Sequence, residues 1–360
     1  MATKKEIEQT EALLAELTEA GGVAGYEREI SAVLRKHLEK FGAVSSDRMG
    51  SLICAARGAP ESPRVMLASH MDEIGFMIRA VTPDGFLKFT PLGGWWDQVL
   101  LAQRVLIKTS KGEVEGVIGA KPPHLIPQED RSKMVQKKSM YIDIGASSDK
   151  EVEKAGVRAG DPAVPVSGFT KLAIDGVYMA KAFDDRVGCA ALISALGKLK
   201  KPPCAVYGVA TVQEEVGIRG ATTSARAVDP DAAIILESDI SGDVPGISNE
   251  ESSTKLGGGP SLLLYDARMI PNLKLRDLVV STAKKAKIPL QFASMEGGAT
   301  DGGAIHLHKQ GVPTVVLGVP TRHIHSHNSI IQRKDFENTV KLVVEVVKRL
   351  DKKMVEGLAE

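Results

Sequence analysis

The hydrophobic pattern changes twice along this chain. Before residue 74 and after residue 166, apolar strand-like runs alternate with segments whose apolar residues have helical spacing, which predicts a mostly parallel sheet with helices on both faces. Between these limits, short strand-like runs alternate with turn signals such as Pro83-Asp84-Gly85, typical of a β-rich module. The pattern therefore predicts a three-layer α/β domain of residues 1–73 and 167–360, with a β-rich domain of residues 74–166 inserted.

The same pattern places individual elements. Helical spacing predicts helices at residues 5–20, 27–41, 187–199, 271–285 and 334–352. Apolar runs predict α/β strands at 51–56, 64–69, 205–211, 232–236, 261–264, 290–293 and 313–317, and inserted strands at 74–81, 86–89, 105–108, 114–118 and 140–144. The polar stretch 121–138 contains three prolines and predicts a long loop, which is usually functional or disordered.

The composition is that of a soluble globular enzyme, with 43% hydrophobic and 25% charged residues among 360. The net charge of +1 argues against a nucleic-acid-binding protein. No apolar run approaches the ~20 residues that cross a membrane, and the N-terminus has no signal-peptide pattern. The three cysteines lie among apolar neighbours, so we expect buried reduced thiols and a cytoplasmic protein.

Seven short segments carry acids and histidines, and most of them end an apolar run. Because open α/β sheets bind ligands at the carboxyl ends of their strands, we expect these segments to meet in one site. The segments are Ser69-His70-Met71-Asp72, Phe183-Asp184-Asp185-Arg186, Gln213-Glu214-Glu215-Val216-Gly217, Leu236-Glu237-Ser238-Asp239, Gly242-Asp243, Thr300-Asp301 and His325-Ser326-His327.

The first two segments contain residue pairs that suit a metal site. His70 and Asp72 point to the same face of an extended segment, so Asp72 could accept a proton from one imidazole nitrogen while the other binds metal. Adjacent Asp184 and Asp185 repel each other unless a cation holds them, and a carboxylate that bridges two metals would relieve this repulsion. The alternatives are a surface turn at His70 and a helix N-cap at Asp185.

The tandem glutamates Glu214 and Glu215 allow a division of labour. One carboxylate can bind a metal, while its neighbour stays free as general base for a water molecule that the metal acidifies. The alternative is a pair of solvated loop acids. Their position directly after an apolar strand favours the first interpretation.

Two further groups offer the remaining ligands. Glu237, Asp239 and Asp243 follow one apolar strand, and any of the three could bind metal. The three histidines after residue 322 alternate with other residues, and we expect one ligand among them. Mixed histidine and carboxylate ligands suit zinc or cobalt better than magnesium.

Taken in order, these segments resemble the tetrahedral aminopeptidases. These dinuclear metallopeptidases include glutamyl and deblocking aminopeptidases, and some relatives are labelled endoglucanases. The resemblance covers nearly the whole chain and is carried by His70-Met71-Asp72-Glu73-Ile74-Gly75-Phe76, Asp184-Asp185-Arg186-Val187-Gly188, Val212-Gln213-Glu214-Glu215-Val216-Gly217, Gly297-Gly298-Ala299-Thr300-Asp301 and Arg322-His323-Ile324-His325-Ser326.

The resemblance implies a role for each of the candidate residues. Metal ligands lie on both sides of a bridging carboxylate, and a free glutamate acts as general base. The implied roles are His70 as a ligand of one metal, oriented by Asp72; Asp184 as the bridge, joined by a cis peptide to Asp185; Glu214 as general base; and Glu215 and His325 as ligands of the other metal.

The remaining ligand lies about one strand after the glutamate pair. An ungapped alignment through Gly242–Gly246 places it at Glu237, with Asp239 as the second choice. His323 stands where the family commonly has tyrosine, and His327-Asn328-Ser329 replaces a stretch that commonly contains proline. These departures leave the metal site intact and the substrate preference open.

The resemblance also implies an assembly and an activity. The inserted domain is expected to be a PDZ-like dimerisation module, homo-oligomers to include a dodecamer built from dimers, and the 121–138 loop to reach a neighbouring subunit's site. The expected activity is removal of N-terminal residues from short peptides, with two zinc or cobalt ions per subunit. The alternatives are hydrolysis of N-acyl amino acids or other amides on the same centre, a glycosidase, and a non-enzymatic assembly protein of the same fold.

Overall fold

The computed structural model describes residues 3–58 and 60–359. Met1, Ala2 and Glu360, at the ends of the expected segments 1–73 and 167–360, lie outside the described residues. Seventeen strands form in this part of the chain. They are β1 (Gly42–Ser46), β2 (Leu52–Ala56), β3 (Arg64–His70), β4 (Gly75–Val81), β5 (Leu87–Leu92), β6 (Arg104–Thr109), β7 (Gly112–Gly119), β8 (Tyr141–Asp143), β9 (Pro162–Pro165), β10 (Thr170–Lys171), β11 (Val177–Ala180), β12 (Ala205–Thr211), β13 (Ala232–Ile240), β14 (Ser261–Asp266), β15 (Gln291–Met295), β16 (Thr314–Arg322) and β17 (Ser329–Gln332).

Nine α-helices form in the described residues. They are α1 (Lys4–Glu19), α2 (Arg28–Leu38), α3 (Asp149–Ala155), α4 (Phe183–Lys198), α5 (Arg219–Val228), α6 (Leu273–Ala286), α7 (Gly302–Ile305), α8 (Arg333–Val347) and α9 (Lys352–Glu356). No helix in residues 3–58 and 60–359 is both long and apolar enough to cross a membrane.

The large sheet has a parallel centre and antiparallel flanks. Its strand order is β1-β2-β12-β3-β13-β16-β17-β11-β10, and β14 and β15 extend it beside β16. The neighbours β12, β3, β13 and β16 are parallel, which aligns their carboxyl ends at one edge. The mixed α/β fold that the alternating pattern predicts is therefore confirmed.

Alternate residues of the central strands bury opposite faces of the sheet. In β3, Val65 and Leu67 pack with the core under α1, α2, α4, α6 and α8, whereas Met66 and Ala68 pack with the core under α5 and α7. Side chains alternate across a strand, so a continuous apolar run such as 64–69 is what a strand covered on both faces requires. Helices on both faces thus follow directly from the sequence pattern.

The predicted β-rich stretch forms a closed barrel. Strands β4 to β9 close in the order β4-β5-β8-β7-β6-β9, and the interior is filled by Phe76, Ile78, Val105, Ile107 and Ile142. Ring closure gives each of these short strands two neighbours and leaves no open edge.

Some elements were not predicted because their sequences lack a strong period. Helix α5 consists largely of Gly, Ala, Ser and Thr, so its buried face, which includes Ala221, Ala225 and Val228, is made of small residues and gives a weak hydrophobic signal. The predicted helix 334–352 is divided, because α8 ends at Val347 and α9 begins at Lys352. The three cysteines are buried free thiols, as predicted.

Candidate metal centre

The candidate ligands meet at the carboxyl ends of the parallel strands. Because β12, β3, β13 and β16 are neighbours, residues that follow them in sequence come together in space. Asp184 reaches the same place from the kinked first turn of α4. The strand-end positions are His70 in β3, Glu214 and Glu215 after β12, Glu237 within β13 and His325 after β16.

Asp184 lies between two histidines. Its Oδ1 is 3.1 Å from Nε2 of His70, and its Oδ2 is 3.1 Å from Nε2 of His325. A glutamate accompanies each imidazole: Glu237 Oε1 is 3.5 Å from His70 Nε2, and Glu215 Oε1 is 3.6 Å from His325 Nε2. Two histidine–glutamate pairs on either side of one carboxylate form a donor set suited to two metal ions that share a bridging ligand.

Asp185 is close to this cluster but serves a different purpose. One of its carboxylate oxygens lies within 4.8 Å of potential ligand atoms of His70 and Glu237. Its oxygens are already engaged, because the Ser69 hydroxyl donates to one at 2.7 Å and the Gly188 N–H donates to the other at 3.1 Å. Asp185 therefore anchors the start of α4, and its peptide bond to Asp184 is cis.

Both imidazoles are oriented through Nδ1. The Asp72 carbonyl oxygen lies 3.0 Å from Nδ1 of His70, and the Gly94 carbonyl oxygen lies 2.7 Å from Nδ1 of His325. A carbonyl oxygen only accepts, so Nδ1 is the donor in each ring, and Nε2 is left to face the carboxylates. Metal-binding histidines commonly show this arrangement.

The acids favour positive charge at both rings. Burial acts to lower the pKa of His325, but Asp184 and Glu215 outweigh it and raise the pKa to about 10. Burial also opposes the charged form of His70, while Glu237 and Asp184 raise its pKa well above the usual value. A metal ion competes with protons for such ligands, so the cluster has the charge that a cation site requires.

Buried carboxylate oxygens without partners support the same interpretation. Glu215 Oε1, Asp239 Oδ2 and Asp301 Oδ1 accept no hydrogen bond from the residues that the structure describes. Burial raises the pKa of Glu215 to about 8, with a contribution from Asp184, and burial raises the pKa of Asp301 to about 7. Since buried polar groups are nearly always paired, the unpaired oxygen of Glu215, which belongs to a group of potential ligands, fits a centre that holds cations.

The Asp72 carboxylate contacts the glutamate turn. Its nearest oxygen is 3.6 Å from His70 Nδ1, beyond hydrogen-bonding distance, and it is the Asp72 carbonyl that accepts from that ring. Its Oδ1 accepts the N–H of Glu214 at 2.9 Å, and its Oδ2 accepts the N–H of Glu215 at 3.1 Å. Asp72 thus holds both glutamates through their main chain.

Glu214 faces a large cavity beside the cluster. Burial raises the pKa of Glu214 well above the usual value, and Asp301 and Glu237 add to the shift. The cavity has a volume of about 790 Å³. Asp239 also lines it, whereas Asp301 is fully buried behind it and accepts from the Thr211 hydroxyl at 2.5 Å. Apolar side chains cover much of the remaining wall, including Ile218, Leu263, Met295, Val316 and Ile324.

Other predicted candidates lie outside the cluster. Asp243 pairs with Arg322, whose Nε is 2.9 Å from Asp243 Oδ1. His327 is buried against Trp95, with the ring centroids 5.2 Å apart, and burial lowers its pKa to about 4. Of the three alternating histidines, His325 is the one that reaches the acids.

Several residues around the centre were not predicted. Gly94 contributes only a carbonyl group, which no side-chain pattern reveals. Lys181 and Arg186 lie buried beside Glu73, with Lys181 Nζ 2.7 Å from both Glu73 oxygens. Lys181, an isolated charge between Ala180 and Ala182 in an apolar run, was the available signal for this ion cluster, since lysine is rarely buried unless it is paired.

Comparison with known proteins identifies similar chains. A model of the M42 glutamyl aminopeptidase family matches residues 50–342. The Escherichia coli (strain K12) protein FrvX is 42% identical over 333 residues, 92% of this chain and 93% of FrvX. The structure of a TET aminopeptidase from Thaumarchaeota archaeon SCGC AB-539-E09 is 48% identical, with a TM-score of 0.96 over 98% of this chain and 99% of that one. The Pyrococcus horikoshii TET1 peptidase, which can assemble into a tetrahedron or a large octahedral shell, is 32% identical, with a TM-score of 0.85 over 95% and 100% of the two chains.

Proposed function

Because the chain belongs to the M42 glutamyl aminopeptidase family, we propose that it is a dinuclear metalloaminopeptidase that removes N-terminal residues from short peptides. The observation that carries this proposal is the position of Asp184, 3.1 Å from both His70 Nε2 and His325 Nε2. A carboxylate in that position has one oxygen available to each of two cations.

Five residues would hold the two ions. Asp184 would bridge them, and each histidine–glutamate pair would complete one side, so the ligand set is His70, Asp184, Glu215, Glu237 and His325. Nitrogen and carboxylate donors favour zinc or cobalt. Two such ions, when bound, would acidify a water molecule and stabilise negative charge on the scissile carbonyl oxygen.

Glu214 is proposed as general base. Its carboxylate would accept a proton from the attacking water and then pass that proton to the leaving amine nitrogen. Burial raises the pKa of Glu214 well above its usual value, which favours uptake of a proton by this carboxylate. Asp72 acts through the main chain of Glu214 and fixes the turn from which the base extends.

The cavity would receive the N-terminal residue of the peptide. Asp239 lines it and has an unpaired buried oxygen, so it is a candidate for holding the free amine. The apolar wall beyond it would contact the side chain of that residue.

We also propose a division into domains and an assembly. Residues 1–73 and 167–360 would form the catalytic domain, and residues 74–166 a PDZ-like domain through which copies pair. The assembly of the Pyrococcus horikoshii TET1 peptidase supports a homo-oligomer, with a dodecamer built from dimers as the specific form to test. The 121–138 loop would then reach a neighbouring subunit.

Hydrolysis of paired substrates tests the activity. Free-amine aminoacyl substrates and their N-acetylated forms are assayed with metal-depleted protein, then after addition of zinc or cobalt. Metal-dependent cleavage of the free-amine set supports the proposal. Preference for acetylated substrates would identify an acyl-amino-acid hydrolase, and cleavage of neither set would favour the non-enzymatic alternative.

Two variants sharpen this test. Glu214→Gln should lower kcat by about 100-fold or more while both metals still bind, because general bases typically contribute factors of 10²–10⁴. Glu250→Gln, at an exposed position of the nearby 241–256 segment, is the matched control and should keep the parent rate. Retention of full activity by Glu214→Gln would exclude Glu214 as the base.

A further inference from the structure

The barrel contributes a main-chain group to the metal centre. The turn that follows β5, residues 93–97, reaches across to the loop after β16. There the Gly94 carbonyl accepts the Nδ1–H of His325 at 2.7 Å. These two residues are 231 positions apart, so the contact depends on how the barrel sits against the large sheet.

Two glycines allow this approach. An added Cβ on Gly94 would lie 2.9 Å from His325 Nδ1, and one on Gly93 would lie 3.0 Å from Glu215 Oε2. Gly93 also has φ +89°, a conformation that side chains disfavour. The backbone of the 93–97 turn is therefore in close contact with both members of one histidine–glutamate pair.

The 93–97 turn is held at two points within the barrel. The indole of Trp95 stacks on Phe76, with centroids 4.8 Å apart, and its N–H donates to the Gly75 carbonyl at 3.0 Å. On the other side, Lys137 Nζ donates to the Trp95 carbonyl at 2.6 Å and pairs with Asp97 Oδ1 at 2.7 Å. Lys137 belongs to the polar 121–138 segment, which is thereby connected to the turn.

The two histidines differ in where their orienting group comes from. His70 donates to the carbonyl of Asp72, two residues further along the same chain segment. His325 depends on the Gly94 carbonyl of the barrel, and Lys137 holds the adjacent carbonyl, that of Trp95, in the same turn. A disturbance of the 93–97 turn should therefore affect one histidine and leave the other in place.

We propose that Gly94 and Lys137 are positioning residues for His325, so that the barrel controls the affinity of one metal site and not the other. The inference rests on the proposed function, in which His325 and His70 bind different metals. Its physical basis is that a hydrogen bond to Nδ1 fixes both the ring orientation and the tautomer, which leaves Nε2 to bind the metal.

Metal affinity at the two sites provides the test. Zinc binding to the full-length protein is titrated against a chromophoric chelator, and the thermal unfolding midpoint of each metal-free variant is recorded alongside. His325→Ala identifies the site to be followed, because it should abolish one binding event and keep the other. Retention of both binding events by His325→Ala would overturn the ligand assignment itself, and with it the inference.

Two pairs of variants then address the inference. Lys137→Met removes the ammonium group that fixes the 93–97 turn, and Lys138→Met, at the next lysine, is its control. Gly94→Ala pushes a methyl group against His325, and Gly168→Ala, where a Cβ would meet its nearest atom at 3.7 Å, is the control for that change. We expect Lys137→Met and Gly94→Ala to weaken the His325 site by about 10- to 100-fold, as changes to groups that orient a ligand typically do.

The remaining results separate positioning from general destabilisation. The His70 site should keep its affinity in both variants, and the unfolding midpoints of the metal-free proteins should stay close to those of the controls. Parent affinity at both sites in Lys137→Met and Gly94→Ala would overturn the inference. An equal loss of affinity at both sites would also overturn it, because general destabilisation of the protein gives that result.

Discussion

Oδ1 of Asp72 accepts the main-chain N–H of Glu214 at 2.9 Å. The second oxygen of Asp72 accepts the next N–H, that of Glu215, at 3.1 Å, and Glu27 accepts the preceding one, that of Gln213, also at 3.1 Å. Two buried carboxylates thus bind three consecutive N–H groups of one turn. The turn is fixed through its backbone, which leaves the Glu214 side chain available for chemistry.

Substitution of Asp72 by Asn should therefore impair the proposed base. An amide group has one acceptor oxygen, so either the Glu214 or the Glu215 N–H would face an NH₂ group. A buried donor without an acceptor costs about 1–3 kcal/mol, and the turn should move to avoid this cost. We expect kcat to fall by about 10-fold or more, measured by steady-state kinetics at saturating metal.

The control for Asp72→Asn is Asp84→Asn, at an exposed turn of the barrel. It should match the parent protein. If Asp72→Asn lost metal affinity and kept its metal-saturated kcat, the carboxylate would act on His70, as the family resemblance implies, and not on Glu214.

Glu237 and Asp239 can be distinguished by metal content. Glu237 Oε1 lies 3.5 Å from His70 Nε2, and Glu237 groups with His70 and Asp185 among the potential ligands. Asp239 belongs to neither group of potential ligands found in the described residues. Glu237→Gln should therefore bind one equivalent of zinc less than the parent, as measured by elemental analysis after dialysis. Asp239→Asn should keep both equivalents and show a raised KM for peptides. The reverse pattern would make Asp239 the ligand.

The meeting of the candidate ligands in one place was predictable because their positions obey local rules. His70, Glu214 and Glu237 each follow or end an apolar run, and parallel strands align their carboxyl ends, so sequence order along each strand determines position in the sheet. The choice of one histidine among three could not be made from spacing alone. It depends on the turn after β16, in which His325 has φ +57° and His327 packs against Trp95.

The contacts that were missed are those made by backbone groups or between distant segments. The Gly94 carbonyl has no signature in the sequence, and its distance from His325 depends on how the barrel sits against the large sheet. Strands β10, β11 and β17 are two to four residues long, too short for a period to be recognised. Their pairing is set by neighbours across the sheet, which a single sequence does not display.

The buried ion cluster should contribute to stability through its pairing. Lys181 Nζ lies 2.7 Å from both oxygens of Glu73, and both side chains are almost fully buried. Removal of one partner leaves an uncompensated charge, a change that typically costs about 3–5 kcal/mol. Lys181→Met should therefore lower the urea midpoint of unfolding strongly. Arg186 lies 3.6 Å from Glu73, so its charge should partly compensate Glu73 and reduce the loss of stability.

A double variant tests whether the pair or the individual residue matters. Glu73→Gln with Lys181→Met removes both charges, so its loss should be smaller than the sum of the two single losses. Additive losses would mean that each residue acts through packing, and that the ion pair itself contributes little.

The ion pair of Asp243 and Arg322 should make stability depend on pH in acid. Burial alone would raise the pKa of Asp243, but the Arg322 guanidinium and the Ser241 hydroxyl outweigh it and hold the pKa at about 2. In the unfolded chain the carboxyl returns to its ordinary value of 3.8. Between these values the unfolded state binds more protons, so the contribution is complete above about pH 4 and is lost as the pH falls towards 2.

Thermal unfolding of metal-free protein across this range checks the prediction. Asp243→Asn cannot ionise, so its midpoint should lie below that of the parent at pH 6, and the difference should shrink as the pH approaches 2. Asp84→Asn should follow the parent at every pH. Arg322 ends β16 and directly precedes the turn that carries His325, so a constant difference for Asp243→Asn would mean that Asp243 supports this turn by hydrogen bonding and not by charge.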